Sequence, residues 1–177
     1  MAFTTTFEGF VLKKTRLLET TQSITVFTKE KGKMYFIVKG AQKLTSRRSS
    51  HLQTGNLISL DAASHVSGAW YVRSTGLQSG FSLLKESSDK VRVLYNLLLV
   101  LDRLLPVEQP EVMVYEMFLR AIVHLNSTQI QHDGVLFAFV GQICETLGYG
   151  QQAVTTYDDV HTVISKVMDE QVTFLVQ

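Results

Sequence analysis

The sequence has little of what cross-linked, fibrous or low-complexity proteins are made from. Its 177 residues include one cysteine, two prolines and eleven glycines. One cysteine cannot form an internal disulfide or supply a cysteine-rich zinc site. The low proline and glycine content excludes collagen-like and linker-rich chains. With 45% hydrophobic and 19% charged residues, the composition is typical of a folded globular protein of one or two small domains.

Signals for export or membrane insertion are also missing from the sequence. Residues 1–6 contain no basic segment followed by an apolar run, so we expect no signal peptide. The longest strongly apolar stretch, Val93–Leu101, is far shorter than the roughly 20 residues that cross a bilayer. The sequence therefore predicts a protein of a reducing cytoplasm without a membrane partner.

Charge divides the chain into two parts of opposite sign, although the net charge is only +1. Residues 1–79 contain eleven basic and four acidic residues, whereas residues 80–177 contain six basic and twelve acidic residues. Ten of the eleven basic residues in the first part fall between Lys13 and Arg48. Such an excess is more than solubility requires and indicates a surface that binds a polyanion. A merely solvated basic face is the alternative interpretation.

The first part of the chain has the pattern of short β-strands. The candidate segments are rich in β-branched and aromatic residues, and Gly32 allows a tight turn between the second and the third. The polar segment Ala41–His51 is predicted to be a surface loop or a short helix. Five short strands in under 80 residues favour a small Greek-key barrel over a sandwich. The candidates are Phe7–Lys14, Gln22–Lys29, Met34–Lys39, Leu57–Ala62 and Ala69–Arg73.

From about residue 81 the apolar residues follow the period of helices. The first predicted helix is apolar around most of its circumference, which indicates a central, buried position. The fold is therefore predicted to be α+β, with a five-stranded barrel in residues 1–79 followed by an all-helical domain in residues 80–177. The first predicted helix runs from a cap at Ser87–Asp89 to Leu105, and the second begins at Pro110. The third covers Val135–Leu147, with Asp133 as its cap. The fourth begins at a capping box formed either by Thr155 with Asp158 or by Thr156 with Asp159.

No arrangement of residues in the sequence indicates catalysis. Cys144 lies among apolar residues of a predicted helix, which is typical of a buried small side chain rather than a nucleophile. The five histidines lack metal-ligand spacing with a carboxylate or thiol, and Asp158–Asp159 fits helix capping better than acid–base chemistry. No phosphate-loop motif is present. We therefore expect no enzyme activity, no catalytic residue, no metal and no cofactor.

The sequence gives a stronger signal for nucleic-acid binding. Small barrels with a basic stripe and exposed rings bind single strands, because cations follow the phosphates and rings stack on bases. Tyr35 is the preferred stacking ring, since it shares a strand face with Ile37 and Lys39. Trp70 and Tyr71 point to opposite faces of one strand, so at most one is directed to the core. The candidate DNA-binding residues are Lys13, Lys14, Arg16, Lys29, Lys31, Lys33, Tyr35, Lys39, Lys43, Arg47 and Arg48.

The order of several motifs resembles the N-terminal domain of the RecO family of bacterial recombination mediators. The resemblance is best over residues 1–60, and helices come after it in a compatible order. Within it, the K-G-A of Lys39–Ala41 and the turn Thr28–Lys33 match family motifs. The motifs are F-E-G-F-V-L at Phe7–Leu12, I-T-V-F-T-K-E-K-G-K at Ile24–Lys33, V-K-G-A at Val38–Ala41, a basic serine and arginine loop, Leu52-Gln53 and the later Leu147-Gly148-Tyr149.

The resemblance implies an OB-fold barrel followed by a helical domain. It implies binding of single- and double-stranded DNA, annealing of complementary strands, and loading of RecA with a RecR-like protein and the acidic tail of the single-stranded-DNA-binding protein. It also implies a bacterial cytoplasm and association with the nucleoid. Many members carry a cysteine-rich zinc module after the L-G-Y segment. Here Gln151–Thr156 comes next without a cysteine, so we expect a short form without zinc.

Two further interpretations remain open at this stage. A non-catalytic adaptor would use its apolar helices as a docking groove and its basic barrel only as a solvated surface. An RNA-binding protein would use the same barrel chemistry as a DNA-binding one, because contact with the 2′-hydroxyl is local. In the acidic helical part, docking of an acidic tail requires a cationic pocket around Arg92, Arg103 or Arg120.

Overall fold

The computed structural model describes residues 4–40, 47–127 and 132–175, which form two compact units. The first unit comprises residues 1–81 together with the segment Pro106–Val112. The second comprises Ser82–Leu105 and Met113–Gln177. No pattern in the sequence indicates the return of residues 106–112 to the first unit. The division at residue 79 therefore stays a prediction, and the contribution of this segment to the first unit is added by the structure.

The first unit is a closed barrel of five strands. Around the barrel the order is β1-β2-β3-β5-β4, with β3 parallel to β5 and the other neighbours antiparallel. This Greek-key closure with one parallel pair is the topology of an OB-fold, so the predicted fold class is confirmed. The strands are β1 (Thr4–Arg16), β2 (Thr21–Thr28), β3 (Gly32–Lys39), β4 (Leu57–Ser64) and β5 (Trp70–Ser79).

Aromatic and branched side chains fill the inside of the barrel. Along the regular stretches of the strands, alternate residues point inward, as the period of two requires. Phe7 lies at the centre, with its ring edge-on to Phe36 at 5.4 Å and to Trp70 at 5.2 Å between centroids. Ile24 and Ile58 are also fully buried in this cluster. The core therefore fixes which side chains of β3 and β5 are left to point outward.

The turn between β2 and β3 is covered by Pro106–Val112, called here the 106–112 strap. The amide of Glu108 donates a hydrogen bond to the carbonyl of Lys33 at 2.9 Å, and Val107 forms a parallel bridge with Lys33. Gly32 has a φ of +71°, and a Cβ atom there would lie 1.8 Å from the carbonyl oxygen of Gln109. Glycine is therefore required at this position by both the backbone angle and the strap.

The second unit is made of helices around a central one. The helix α3 buries Leu94, Leu97, Leu98 and Leu101 and packs against α5 and α6, which confirms its predicted central position. A short helix, α2, precedes it and was not predicted. In chain order the helices are α1 (Arg47–His51, in the first unit), α2 (Ser82–Lys85), α3 (Ser88–Leu104), α4 (Val112–Ser127), α5 (His132–Thr146) and α6 (Tyr157–Leu175).

Two predicted helix starts are wrong. The helix α4 begins at Val112 rather than at Pro110, because Pro110 belongs to the strap that packs with the barrel. The helix α5 begins at His132, so Asp133 lies in its first turn and is not its cap. The carboxylate of Asp133 instead accepts a hydrogen bond from the hydroxyl of Tyr157 at 2.5 Å. The first difference arises from a tertiary contact that local patterns do not contain.

The remaining helix ends agree with the sequence signals. Ser87 is the N-cap residue of α3, although its side chain makes no capping hydrogen bond. Gly148, with φ of +83°, ends α5 as predicted, and the Tyr149 amide donates to the Cys144 carbonyl at 2.8 Å. Of the two possible capping boxes before α6, the structure uses Thr156 with Asp159.

Candidate nucleic-acid interface

A groove of about 440 Å³ lies on the outside of the barrel, where β3, β4 and β5 meet. It has polar, cationic and aromatic side chains along an apolar base. In OB-folds, the face of β2 and β3 and the loops β1–β2 and β4–β5 bind oligonucleotides. The groove adjoins both β3 and the β4–β5 loop. Its lining residues are Ile37, Lys39, Ala63, Ser64, His65, Tyr71, Val72 and Arg73.

Alternation along β3 positions one wall of this groove. Phe36 and Val38 are fully buried in the core, so Tyr35, Ile37 and Lys39 point outward together. This confirms the predicted shared face. Tyr35 is 51% exposed, so its ring is accessible to a base that follows this face.

The opposite wall comes from β5, where two adjacent rings have different positions. Trp70 packs against the core cluster, whereas Tyr71 lines the groove, as the predicted opposition of the two rings requires. The ammonium nitrogen of Lys39 lies 4.9 Å from the centroid of the Tyr71 ring. The ring of His65 stands edge-on to Tyr71 at 5.8 Å. A cation and two rings therefore lie close together at one place on the barrel.

Arg73 lines the groove next to an irregularity in the pairing of β4 with β5. Asp61 is opposite Ser74 and Ala62 is opposite Val72, so Arg73 is the extra residue of a β-bulge. Bulges change the direction of a side chain, and they are common next to binding sites. Sequence reasoning missed Arg73 and His65 as site residues. The Y-V-R spacing, which puts Tyr71 and Arg73 on one face of a strand, was a signal for Arg73 that the sequence contains. The bulge could not be recognised from the sequence.

The basic residues at the end of β1 divide between two faces. A bulge at Leu12 puts Lys13 opposite Thr25, and Thr25 is opposite Tyr35 on the next strand. Lys13 and Tyr35 therefore lie on the same outer face, in one row across three strands. Lys14 and Arg16 alternate to the other side of β1, and all three cations are exposed.

The lysines of the β2–β3 turn are not equivalent. Lys29 and Lys31 are exposed, and the ammonium of Lys31 lies 5.4 Å from the centroid of the Trp70 ring. Lys33 does not share this exposure, because it is only 6% exposed where the 106–112 strap pairs with it. The turn therefore presents two of its three lysines at the surface.

The basic loop after β3 is only partly described by the structure. Lys43 lies outside the described residues. Arg47 and Arg48 form the start of α1, and only their backbone is described. At the other end of α1, the Nδ1 atom of His51 lies 3.1 Å from the carbonyl oxygen of Thr75. This contact holds α1 against β5.

The outer side of β4 carries the carboxylate of Asp61, whose negative charge is unfavourable for a phosphate group. Asp61 accepts hydrogen bonds from the hydroxyl of Ser74 and, at 2.7 Å, from that of Thr6. These two hydrogen bonds lower the pKa of the Asp61 carboxyl, so the group stays ionised at neutral pH. The outer side of β4 therefore carries a negative charge at Asp61.

The helical unit has a second groove, of about 400 Å³, between α4 and α5. Arg120 and His124 lie along it, with Met117 and Phe139 as apolar lining. The other two arginines considered for an acidic tail have different roles. Arg92 makes ion pairs with Asp133 at 3.4 Å and Asp89 at 3.6 Å, and Arg103 donates to the sulfur of Met168 at 3.9 Å.

The described parts of the chain show neither a metal-binding cluster nor a membrane-spanning helix, and their one thiol is poorly suited to act as a nucleophile. Among residues 4–40, 47–127 and 132–175, no group of three or more histidine, cysteine or acidic side chains could hold a metal ion. No helix in these ranges is long and apolar enough to cross a membrane. Cys144 is fully buried, and this burial raises the pKa of its thiol, which disfavours the nucleophilic thiolate.

Comparison with known proteins finds one match over the first part of the chain and another over most of its length. Residues 1–76 match the family model described as "Recombination protein O N terminal". The chain is also 28% identical over 144 residues to the DNA repair protein RecO of Pseudoalteromonas atlantica. This alignment covers 80% of the present chain and 58% of that relative, so the chain spans little more than half of the relative's length. Residues 1–76 therefore resemble the N-terminal domain of the RecO family, and this match covers less than half of the chain.

Proposed function

We propose that this protein is a DNA-binding recombination mediator of DNA repair that holds single-stranded DNA in the barrel groove. The observation that carries the proposal is the placement of Lys39 4.9 Å from the Tyr71 ring, with Arg73 and His65 lining the same groove. Cations beside stacking rings are the arrangement by which OB-folds follow a phosphate backbone and its bases. The name of the relative, a DNA repair protein, supports the same role.

The proposed mechanism is binding without a chemical step. Basic side chains offset the repulsion between phosphates when two complementary strands approach each other, so annealing needs no catalytic residue. Exposed Lys13, Lys29 and Lys31 would extend the contact beyond the groove to a second strand or a duplex. Loading of RecA with a RecR-like partner is part of this proposal and rests on the resemblance to the RecO family.

The salt dependence of DNA binding tests the proposed site. If about 4–6 phosphates are contacted, the logarithm of the association constant should fall with log[salt] with a slope of roughly −3 to −4. Replacing both Lys39 and Arg73 with alanine should weaken binding and flatten this slope by roughly 1.4, since each lost phosphate contact accounts for about 0.7. Fluorescence anisotropy with a labelled single strand, repeated across a salt series, measures both quantities.

Lys166→Ala provides the matched control, because Lys166 is an exposed cation of α6 in the helical unit. This variant should keep the slope of the unmodified protein. A double variant of Lys39 and Arg73 that also kept the slope would remove the groove from the DNA site. A companion series with Lys29→Ala/Lys31→Ala tests whether the β2–β3 turn contributes.

A second function, docking of an acidic peptide tail, is favoured by the groove between α4 and α5. The guanidinium of Arg120 and the imidazole of His124 would pair with carboxylates, and Met117 and Phe139 would receive an apolar side chain. The occupant proposed is the C-terminal tail of the single-stranded-DNA-binding protein. This groove is the adaptor surface that the chain would use beside its DNA site.

A further inference from the structure

The turn that joins β1 to β2 presents two consecutive leucines to solvent. Leu17 is 50% exposed and Leu18 is 70% exposed. The turn is held by its own backbone, because the amides of both leucines donate hydrogen bonds of 3.0 Å to the carbonyl of Thr21. The Thr21 amide donates in return to the Leu18 carbonyl at 3.3 Å. An ordered turn therefore displays this apolar pair, named here the leucine tip.

The leucine tip is joined directly to the strand that carries the groove lysine. The amide of Gly40 donates to the carbonyl of Thr20 at 2.8 Å, and Thr21 is the register partner of Lys39. Lys39 lines the groove, and exposed Arg16 immediately precedes Leu17. The apolar pair is thus bordered by one cation along the chain and by another across the sheet.

The loop at the other side of the groove has a similar arrangement. The residues between β4 and β5 form a turn in which the His65 amide donates to the Ala69 carbonyl and the Gly68 amide donates to the His65 carbonyl, both at 2.8 Å. His65 lines the groove, whereas the next residue, Val66, is fully exposed. Aliphatic side chains therefore project from both loops next to the candidate DNA path.

We propose that Leu17 and Leu18 form a wedge that packs against the unpaired bases of a bound single strand. The inference rests on the proposed function, because it assigns a base contact to the same DNA strand whose phosphates would lie along Arg16 and Lys39. Aliphatic side chains of DNA-binding proteins insert beside or between bases. In a duplex such insertion must first unstack a base step, whereas an unpaired strand already exposes its base faces, so we expect the wedge to add affinity for strands that are unpaired and carry bases. The adjoining cations make a polyanion the fitting partner of this surface.

The test compares three labelled probes of equal length with the full chain. They are an oligothymidylate strand, an abasic strand with the same phosphates, and a duplex. For Leu17→Ser/Leu18→Ser, we expect about a fivefold loss of affinity for the base-bearing strand, because partial burial of two leucines is lost. Affinity for the abasic strand and the duplex should be unchanged, and so should the salt slope, which counts phosphates.

Leu83→Ser is the matched control, because Leu83 is a comparably exposed leucine, at 55%, in the helical unit. It should bind all three probes as the unmodified protein does, and thermal unfolding should show that both variants remain folded. If the double variant also bound all three probes normally, or lost affinity equally for all of them, the wedge would be overturned and the proposed DNA binding would stand. If the unmodified protein bound no probe even at low salt, both proposals would fail.

Discussion

Single residues of the same type have different roles in this barrel. Lys29 and Lys31 are exposed on the turn between β2 and β3, whereas Lys33, two residues later, is buried beneath the strap. Lys39, on the outer face of the same strand as Lys33, lies over the ring of Tyr71. Charge alone therefore does not identify an accessible lysine. Lys33 and Lys39 share one face of β3, and the covering strap buries only Lys33.

Gly32, which lies under the 106–112 strap, provides a prediction at the scale of single residues. Gly32→Ala should lower the free energy of unfolding by more than about 1 kcal/mol, because alanine is strained at positive φ and its Cβ would also meet the Gln109 carbonyl. Gly40→Ala is the control, since Gly40 has the same φ of +71° but a Cβ atom there would meet no atom within 4 Å. Urea unfolding compares the two variants. Equal losses would contradict the close approach of the strap.

At the scale of elements, the N-terminus of α6 is stabilised by the capping box predicted from the sequence. The Thr156 hydroxyl accepts a hydrogen bond from the Asp159 amide at 3.2 Å, and the Asp159 carboxylate accepts one from the Thr156 amide at 2.9 Å. This reciprocal pair satisfies amides that the first turn leaves without partners. The next four apolar residues on one face, Val160, Val163, Ile164 and Val167, are buried.

Removal of this cap should destabilise the helical unit. Thr156→Ala should cost about 1 kcal/mol of stability, because the Asp159 amide loses its acceptor. Thr155→Ala should cost less, since the Thr155 hydroxyl only adds a 3.1 Å hydrogen bond to the Asp159 carboxylate. Chemical unfolding followed by helical circular dichroism measures both. The opposite ranking would indicate that the box begins at Thr155.

The same cap should make stability depend on pH in acid. Hydrogen bonds from the Thr155 amide and then from Thr156 lower the pKa of Asp159 below its ordinary 3.8. A lowered folded-state pKa stabilises the fold above the unfolded value, and this contribution is lost as pH falls through the folded pKa. Asp159→Asn should therefore be less stable than the unmodified protein at pH 7, and the difference should narrow below pH 3.8. A constant difference across this range would exclude the ionised carboxylate as its source.

For the whole molecule, the barrel groove and the groove between α4 and α5 predict two ligand sites that can be impaired separately. Arg120→Ala should weaken binding of an acidic tail peptide about tenfold, because a charge-assisted hydrogen bond is lost, and it should leave DNA binding unchanged. The double variant of Lys39 and Arg73 should show the reverse. Anisotropy with a labelled peptide and a labelled strand measures both. Impairment of both ligands by either variant would contradict separate sites.

Much of the architecture was predictable because it depends on local patterns. The period of two along β3 placed Tyr35, Ile37 and Lys39 on one face, and the same period separated Trp70 from Tyr71. The helical period identified the four long helices. Charge and motif order indicated a DNA-binding domain of the RecO family. These signals lie within a few residues of each other, so they can be read without knowledge of the fold.

The five strands, the central helix, the opposite charges of the two parts and the resemblance to the RecO family were all predictable from the sequence. Three other features became visible only in the folded protein: the β-bulge at Arg73, the contact of His65 with Tyr71, and the covering of Lys33 by residues 106–112. The physical reason is that these features depend on pairing between segments far apart in the chain. Strand register, the parallel closure of β3 on β5 and the return of a distant segment leave no local period in the sequence.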